Sequence, residues 1–208
     1  DFAIADLADD VEALLTHLGI DKFAVAGFSQ GGMTAQILAA RRGSHCLGLL
    51  VAGAMAAFPP AAQRVMEARI AAFADDGAAG AADAAANAIF SPGFRAAHPG
   101  EIERFKRWRV GLDQQALLRC TRALFGFDIQ DRAAAISAPA YVTLGDQDAL
   151  ASVSGARGLA QMLPNLRRFE VMPGGHMVPV EQSERFAALF TSFVDDIAGP
   201  IPPAPGSS

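Results

Sequence analysis

The sequence predicts an α/β fold in which a mostly parallel sheet, flanked by helices, carries an inserted helical cap. Two observations support this prediction. Short apolar runs typical of buried parallel strands alternate with helical patterns at both ends of the chain. Between them, residues 59–131 contain helical patterns and no strand pattern. An insertion of this kind between two core strands would cover the carboxyl ends of the sheet.

The first elements are an amphipathic helix from Asp6 to Leu18 and an apolar strand from Phe23 to Phe28. Acidic residues in the first turn and Gly19 at the end are typical of helix boundaries. A second helix follows the strand directly and is predicted to end at Gly43. The next strand runs from Leu47 to Ala52.

Four helical segments are predicted in the insertion: "AAQRVMEARIAAF", "AAGAADAAANAIF", "EIERFKRW" and "DQQALLRCTRALF". The core resumes near Ile136 and contains two more strands, Ala140–Leu144 and Arg167–Met172, before a last helix from about Val180. The ending "AGPIPPAPGSS" has nothing to bury and is predicted to be disordered. These boundaries divide the chain into core residues 1–53, a cap of residues 54–135, core residues 136–198 and a tail of residues 199–208.

The composition excludes several functional classes. The chain has 208 residues, of which 51% are hydrophobic, and is long enough for one sizeable core. A net charge of −5 argues against nucleic acid as a partner, and no run approaches the length of a membrane span, so we expect a cytoplasmic protein. Cys46 and Cys120 form no metal-binding spacing or disulfide framework, and both are predicted to be core thiols. The basic cluster of residues 103–109, "ERFKRWR", is predicted to be a solvated helix face rather than an anion site.

The stretch "VAGFSQGGM" places a serine between two glycines where a strand passes into a helix. In a nucleophile elbow, the serine occupies a strained turn with positive φ, and the flanking glycines leave room for the strand and the helix. Gly27, Ser29 and Gly31 fit this pattern. The alternative is a glycine-rich turn that carries a serine by chance, and partner residues must decide between the two.

A catalytic serine needs a histidine base and an acid that orients the imidazole. Three of the four histidines, His17, His45 and His98, are predicted to be surface or packing residues. His176 is different, because it follows the strand Arg167–Met172 and a Pro-Gly-Gly loop. Functional groups of open α/β sheets gather at such carboxyl ends.

Two aspartates follow the strand Ala140–Leu144 in "APAYVTLGDQDAL", and either can reach the imidazole. We favour Asp148 over Asp146, because the residue nearer the strand end more often braces the turn with its side chain. By itself, this pattern usually indicates two solvated aspartates in a turn. Serine, aspartate and histidine nevertheless occur in the order required of a catalytic triad, each after a predicted strand.

These residues resemble the α/β-hydrolase fold serine hydrolases, and the resemblance extends over residues 1–198. Within that group the chain is similar to capped enzymes around 3-oxoadipate enol-lactonase, through "LADDVEALLTHLGIDKFAVAGFSQGG", "FSPGFRAAHP" and "ISAPAYVTLGDQDAL". The resemblance implies a triad of Ser29, Asp148 and His176. It also implies that the backbone N–H of Gln30 forms half of the oxyanion hole.

The expected reaction is acyl transfer from a small-molecule carboxylic ester or lactone to water, with no cofactor and no metal ion. A serine nucleophile argues against dehalogenase or epoxide-hydrolase chemistry, which on this fold uses an aspartate. Thioesterase or perhydrolase activity on the same triad is an alternative. The elbow "GFSQGG" also resembles that of acyl-protein thioesterases, but those lack a long helical lid. A further alternative is a non-catalytic small-molecule receptor that retains the triad.

The number of predicted strands indicates that a further strand pairs with Phe23–Phe28. The sequence contains four strand patterns and begins with Asp1. The family it resembles has about eight strands, and four of them precede the helix that corresponds to the first helix here. The strand Phe23–Phe28 is apolar on both faces, as in a sheet interior. We therefore expect an N-terminal companion segment, or a second chain, that completes the sheet and supplies the second oxyanion donor.

Overall fold

The computed structural model describes residues 1–198, without the side chains of residues 61, 65, 68, 69 and 71–76. The predicted tail of residues 199–208 lies outside the described residues. One parallel sheet has the order β1-β2-β3-β4, formed by β1 (Phe23–Phe28), β2 (Cys46–Ala52), β3 (Ala140–Gly145) and β4 (Leu166–Met172). All four predicted strands are confirmed, each within one residue of its predicted ends.

Helices connect the strands and cover both faces of the sheet. None of the helices within residues 1–198 has both the length and the apolar character needed to cross a membrane. In chain order they are α1 (Ile4–His17), α2 (Gln30–Arg42), α3 (Pro60–Ile89), α4 (Pro92–Ala97), α5 (Pro99–Val110), α6 (Gln114–Arg122), α7 (Gln130–Ala133), α8 (Val153–Met162), α9 (Val178–Glu181) and α10 (Ser183–Ala198).

Alternate residues of the central strand β2 enter different parts of the core. Leu49 and Val51 belong to the cluster that also contains residues of α1, α2 and α8. Leu50 and Ala52 belong to a second cluster, with residues of α9 and α10. Side chains alternate between the faces of a strand, so both faces of β2 are buried. This burial on both sides explains why the strand reads as a continuous apolar run.

Strand β1 lies at the edge of the sheet that the structure describes. It pairs with β2 on one side, and Ala24 and Ala26 are exposed. The sequence predicted a strand with a neighbour on each side. Within residues 1–198 only one neighbour is present, and the second stays a prediction.

The insertion between β2 and β3 is helical, as predicted, but its helices divide differently. The first two predicted segments join in α3, which is interrupted at Gly77, where φ is 65°. Two short helices, α4 and α7, were not predicted, because each is no longer than six residues and carries little periodic signal. The chain enters and leaves the insertion side by side: Phe58 N–H donates to Phe127 O at 2.8 Å, and Ile129 N–H donates to Ala56 O at 2.8 Å.

Because Phe58 and Phe127 are hydrogen-bonded neighbours, residues 60–125 can be replaced by a short glycine linker without stretching the core. We expect the shortened protein to keep a cooperative thermal transition, since the sheet and its covering helices α1, α2, α8 and α10 retain their contacts. Circular dichroism during heating measures this. Loss of the cooperative transition would mean that the insertion is part of the core.

Candidate active site

The junction between β1 and α2 holds Ser29 in a strained conformation. Its φ is 53° and its ψ is −120°, and within residues 1–198 it is the only non-glycine residue with a positive φ. Its N–H continues the sheet by donating to Ala52 O at 2.8 Å. Backbone strain of this kind persists only where surrounding structure enforces it, and it is characteristic of functional sites. The sharp turn expected at Ser29 is therefore present.

The two glycines that flank Ser29 contribute unequally to this turn. A Cβ atom on Gly27 would lie 2.1 Å from Gly31 O and 2.7 Å from Gly32 N, so the strand and the helix approach each other only because Gly27 has no side chain. A Cβ atom on Gly31 would meet no atom within 4 Å. The expectation that Gly31 is needed to make room is therefore wrong. Gly31 supplies the backbone that Gly27 contacts, and a side chain at Gly31 would point into open space.

A continuous hydrogen-bond chain joins three side chains at the carboxyl edge of the sheet. His176 Nδ1 lies 2.8 Å from Asp148 Oδ2, and His176 Nε2 lies 2.9 Å from Ser29 Oγ. With Asp148 ionised, the neutral imidazole carries its proton on Nδ1, and Nε2 is left to accept a hydrogen bond from the serine hydroxyl. The geometry thus brings together Ser29, Asp148 and His176, the three residues selected from the sequence.

The structure distinguishes the two aspartates that follow β3. Asp148 Oδ1 accepts hydrogen bonds from the N–H groups of Leu150 and Ala151, both at 2.8 Å, which fixes the carboxylate that faces His176. Asp146 Oδ1 instead accepts from Gly174 N–H at 2.9 Å. Asp146 therefore braces the loop that carries the histidine and does not contact the imidazole.

The Asp148 and His176 side chains are withdrawn from solvent. The Asp148 side chain is 0% exposed and the His176 side chain is 5% exposed. The Phe28 ring lies 4.9 Å from the imidazole, centroid to centroid. Gly53, with φ of 58°, leaves space for both rings, since a Cβ atom there would lie 3.0 Å from Phe28 and 3.2 Å from His176. Sequence analysis did not identify Gly53, although a glycine directly after a core strand was an available signal.

A second residue missed from the sequence is Glu181, in α9. Its carboxylate accepts hydrogen bonds from Gly175 N–H, next to His176, and from the N–H and the hydroxyl of Ser91 in the insertion. Little in the sequence indicated this role, because a glutamate five residues after a histidine is typical of an ordinary helix. Only the folded chain places it against the histidine loop.

Gln30, the residue after Ser29, contributes both a backbone N–H and a side-chain hydrogen bond to the site. It is the first residue of α2, so its backbone N–H belongs to the turn that has no acceptor within the helix. The resemblance assigned this N–H to the oxyanion hole. Its side chain, which sequence analysis did not consider, donates from Nε2 to Cys120 O of α6 at 3.0 Å. The elbow is thereby attached to the insertion.

A cavity of about 360 Å³ lies above Ser29 and His176. Most of its lining comes from apolar side chains of the insertion, while Ser29, Gln30 and His176 form part of its floor. Cys120 is only partly buried and lines this cavity, so the prediction that it is a core thiol is wrong, whereas Cys46 is buried and its pKa is raised by that burial. Within residues 1–198, no group of three or more histidine, cysteine or carboxylate side chains could hold a metal ion.

The basic cluster of residues 103–109 divides between surface and cavity. Arg104 pairs with Glu101, and Lys106 Nζ lies 2.8 Å from Asp83 and 2.5 Å from Glu103, as expected of a solvated face. Arg109 differs, because it lines the cavity and its Nε is buried without a hydrogen-bond partner. Burial lowers the pKa of the Arg109 guanidinium, which nevertheless stays charged at neutral pH.

Comparison with known proteins gives consistent matches over most of the chain. The family model described as alpha/beta hydrolase fold matches residues 1–183. A relative from Acinetobacter baylyi, named 3-oxoadipate enol-lactonase 2, is 29% identical over 185 residues, which are 89% of this chain and 68% of that relative.

Solved structures show the same architecture. The enol-lactonase from Burkholderia xenovorans is similar with a TM-score of 0.84 and 24% identity, over 93% of this chain and 73% of that chain. An alpha/beta hydrolase enzyme from a deep-sea metagenome library gives a TM-score of 0.87 at 22% identity, over 93% and 72% of the two chains. At these identities the similarity establishes the shared fold.

The difference in free space around Gly27 and Gly31 gives a prediction about stability. Gly27→Ala should lower the free energy of unfolding by at least about 2 kcal/mol, because the new methyl group would overlap the backbone of α2. Gly31→Ala is the matched control and should change it by less than about 0.5 kcal/mol, because its methyl group meets nothing. Urea unfolding of both variants measures the difference. Equal destabilisation would contradict the packing described at Gly27.

Proposed function

The chain belongs to the alpha/beta hydrolase fold family, and from this premise we propose that it hydrolyses a carboxylic ester or lactone through an acyl intermediate on Ser29. The observation that carries the proposal is the hydrogen-bond chain from Asp148 through His176 to Ser29, with distances of 2.8 and 2.9 Å. These distances are within the range required for proton transfer between a serine nucleophile and its base. The predicted family is confirmed by the match, and the hydrolytic names of the relatives are consistent with the proposal.

In the first half of the reaction, Ser29 Oγ attacks the substrate carbonyl while His176 Nε2 takes its proton. Asp148 keeps the imidazole oriented and stabilises the positive charge that develops on it. The carbonyl oxygen becomes an oxyanion, and the Gln30 N–H at the amino end of α2 would donate a hydrogen bond to it. His176 then protonates the departing alkoxide oxygen as the tetrahedral intermediate collapses.

In the second half, a water molecule replaces the departed alcohol. His176 Nε2 takes a proton from this water, which attacks the acyl carbon, and the same imidazole then returns the proton to Ser29 Oγ. For a lactone, the alcohol remains attached to the acyl group until this step releases the opened hydroxy acid. The buried Asp148 and His176 act in a site partly shielded from bulk water, which strengthens their electrostatic interaction.

We further propose that the substrate carries an anionic group in addition to the bond that is cleaved. Arg109 lines the cavity together with Ser29, and among the described lining residues it is the one lysine, arginine, aspartate or glutamate. Its guanidinium is charged, and a carboxylate of a substrate bound in the cavity would pair with it through charge-assisted hydrogen bonds. The name 3-oxoadipate enol-lactonase, carried by a relative, describes a substrate derived from a dicarboxylic acid and supports this choice.

The proposed triad makes a direct prediction about activity. Ser29→Ala and His176→Ala should each lower kcat/KM for ester or lactone hydrolysis by about 10⁴-fold or more, because each removes a group that transfers the proton or forms the acyl bond. Asp148→Asn should cause a loss of about 10³-fold or more, because an amide cannot hold the reactive imidazole tautomer. Steady-state hydrolysis of short aryl esters and lactones measures these losses.

Asp146→Asn is the matched control for the acid, since Asp146 contacts the loop and not the imidazole, and it should lose less than about tenfold. A larger loss in Asp146→Asn than in Asp148→Asn would contradict the assignment of the acid. If a fluorophosphonate labels Ser29 but no ester, thioester or lactone is turned over, the protein is a receptor and the proposed hydrolysis is wrong.

The role of Arg109 is tested by comparing two substrates. Arg109→Gln should raise KM about tenfold or more for an ester that carries a free carboxylate, and should leave KM for the corresponding neutral ester within about twofold. Arg107→Gln on the same helix is the control, because Arg107 is exposed. Equal changes in KM for the charged and the neutral ester would contradict the proposed carboxylate contact.

A further inference from the structure

The backbone on both sides of His176 is connected to the same short segment of the insertion, directly on one side and through the Glu181 carboxylate on the other. On one side, Gly175 N–H donates to Glu181 Oε1 at 3.1 Å, and Ser91 N–H donates to the same oxygen at 3.1 Å. On the other side, Met177 N–H donates to Ile89 O at 3.0 Å. The segment from Ile89 to Ser91, which we call the cap junction, therefore holds the histidine loop from two directions.

The carboxylate of Glu181 is the centre of this arrangement. In addition to the two N–H groups, it accepts the hydroxyl of Ser91 on Oε2 at 2.5 Å, and that hydroxyl accepts in turn from Phe94 N–H at 3.1 Å. Among the described residues, no cation pairs with Glu181, so neutral donors satisfy its charge. Ser91 is buried, with 6% exposure, and water does not replace these contacts easily.

The packing leaves little freedom between the cap junction and the loop. A Cβ atom on Gly175 would lie 2.6 Å from Ser91 N, 2.8 Å from Glu181 Oε1 and 2.8 Å from Ile89 O. The cap junction and the histidine loop both face the cavity, since Ile89 of the junction and Met177 of the loop line it. Any displacement of the cap junction is thus passed to the backbone that carries the imidazole.

We propose that Glu181 is a positioning residue, which fixes His176 against Ser29 by fastening the histidine loop to the cap junction. This inference rests on the proposed hydrolysis, in which His176 is the base. The carboxylate does not contact Ser29, His176 or the cavity floor, and it acts through Gly175. A base displaced by about 1 Å can cost on the order of 100-fold in rate, whereas Glu181 itself does not line the cavity in which the substrate would bind.

The test compares Glu181→Ala, Glu181→Gln and the control Glu184→Ala, in which an exposed glutamate at the start of α10 is removed. Glu181→Ala should lower kcat by about 10- to 100-fold and leave KM within about threefold, because orientation of the base is lost and binding is kept. Glu181→Gln should restore kcat to within about threefold of the original protein. Its amide oxygen can accept from both N–H groups, and its NH₂ can donate to Ser91 Oγ.

Each outcome decides the proposal. Unchanged kcat in Glu181→Ala, a rise in KM alone, or a Glu181→Gln variant as slow as Glu181→Ala would overturn it. If Glu181→Ala does not fold, Ser91→Ala is measured instead. That variant removes the hydroxyl's contacts with Glu181 Oε2 and with Phe94 N–H, and it keeps both N–H contacts of Glu181. It should lower kcat about threefold or more at unchanged KM, and unchanged kcat would overturn the proposal.

A second readout does not depend on hydrolysis. The Nδ1–H proton shared by His176 and Asp148 should give a downfield NMR signal in the original protein and in Glu181→Gln. We expect it to be shifted or lost by exchange in Glu181→Ala. If no ester or lactone is hydrolysed but the signal changes in this way, the proposed function fails while the positioning role stands. An unchanged signal in Glu181→Ala would overturn the positioning role.

Discussion

The strained backbone at Ser29 is the constraint from which the arrangement of the site follows. Its φ of 53° turns the chain out of β1 and directly into α2, and the turn is tight enough that the Gly27 Cα faces the Gly31 carbonyl with no room for a methyl group. The hydroxyl is consequently presented at the carboxyl edge of the sheet and at the amino end of a helix. There, unpaired N–H groups and the helix dipole favour the negative charge that develops in acyl transfer.

The parallel sheet brings the other two groups to the same place. Because all four strands run in one direction, the loops that follow β1, β3 and β4 open on one edge. Ser29 and His176, which are 147 residues apart in the chain, come within 2.9 Å of each other. The Asp148 side chain is fully buried, and its carboxyl oxygens are satisfied by hydrogen bonds with two backbone N–H groups and the imidazole.

The insertion does more than cover this edge. It is hydrogen-bonded to the elbow through Gln30 and Cys120, and to the histidine loop through Glu181 and Ser91. It also supplies most of the apolar wall of the cavity and the charged side chain of Arg109. An apolar cavity with few polar groups is the usual form of a small-molecule site. In the proposed reaction, the same set of helices would therefore line the substrate cavity and hold the histidine loop.

Elements whose signal is local could be predicted from the sequence. Strands β1, β2 and β3 are largely apolar runs, and the helix after Ser29 has its own periodicity and glycine stop. Serine, aspartate and histidine follow predicted strands in the order required of a triad, which identified the three residues that meet. The tertiary structure shows Asp148 against His176, the choice that the sequence favoured over Asp146. Only the tertiary structure showed that Gly27 and not Gly31 lacks space, and revealed the contacts of Glu181 and the cavity position of Arg109. The physical reason is that periodicity and turn chemistry act over a few neighbouring residues, whereas these contacts join groups up to 90 residues apart. Their energies exist only when the loops have been brought together by the sheet.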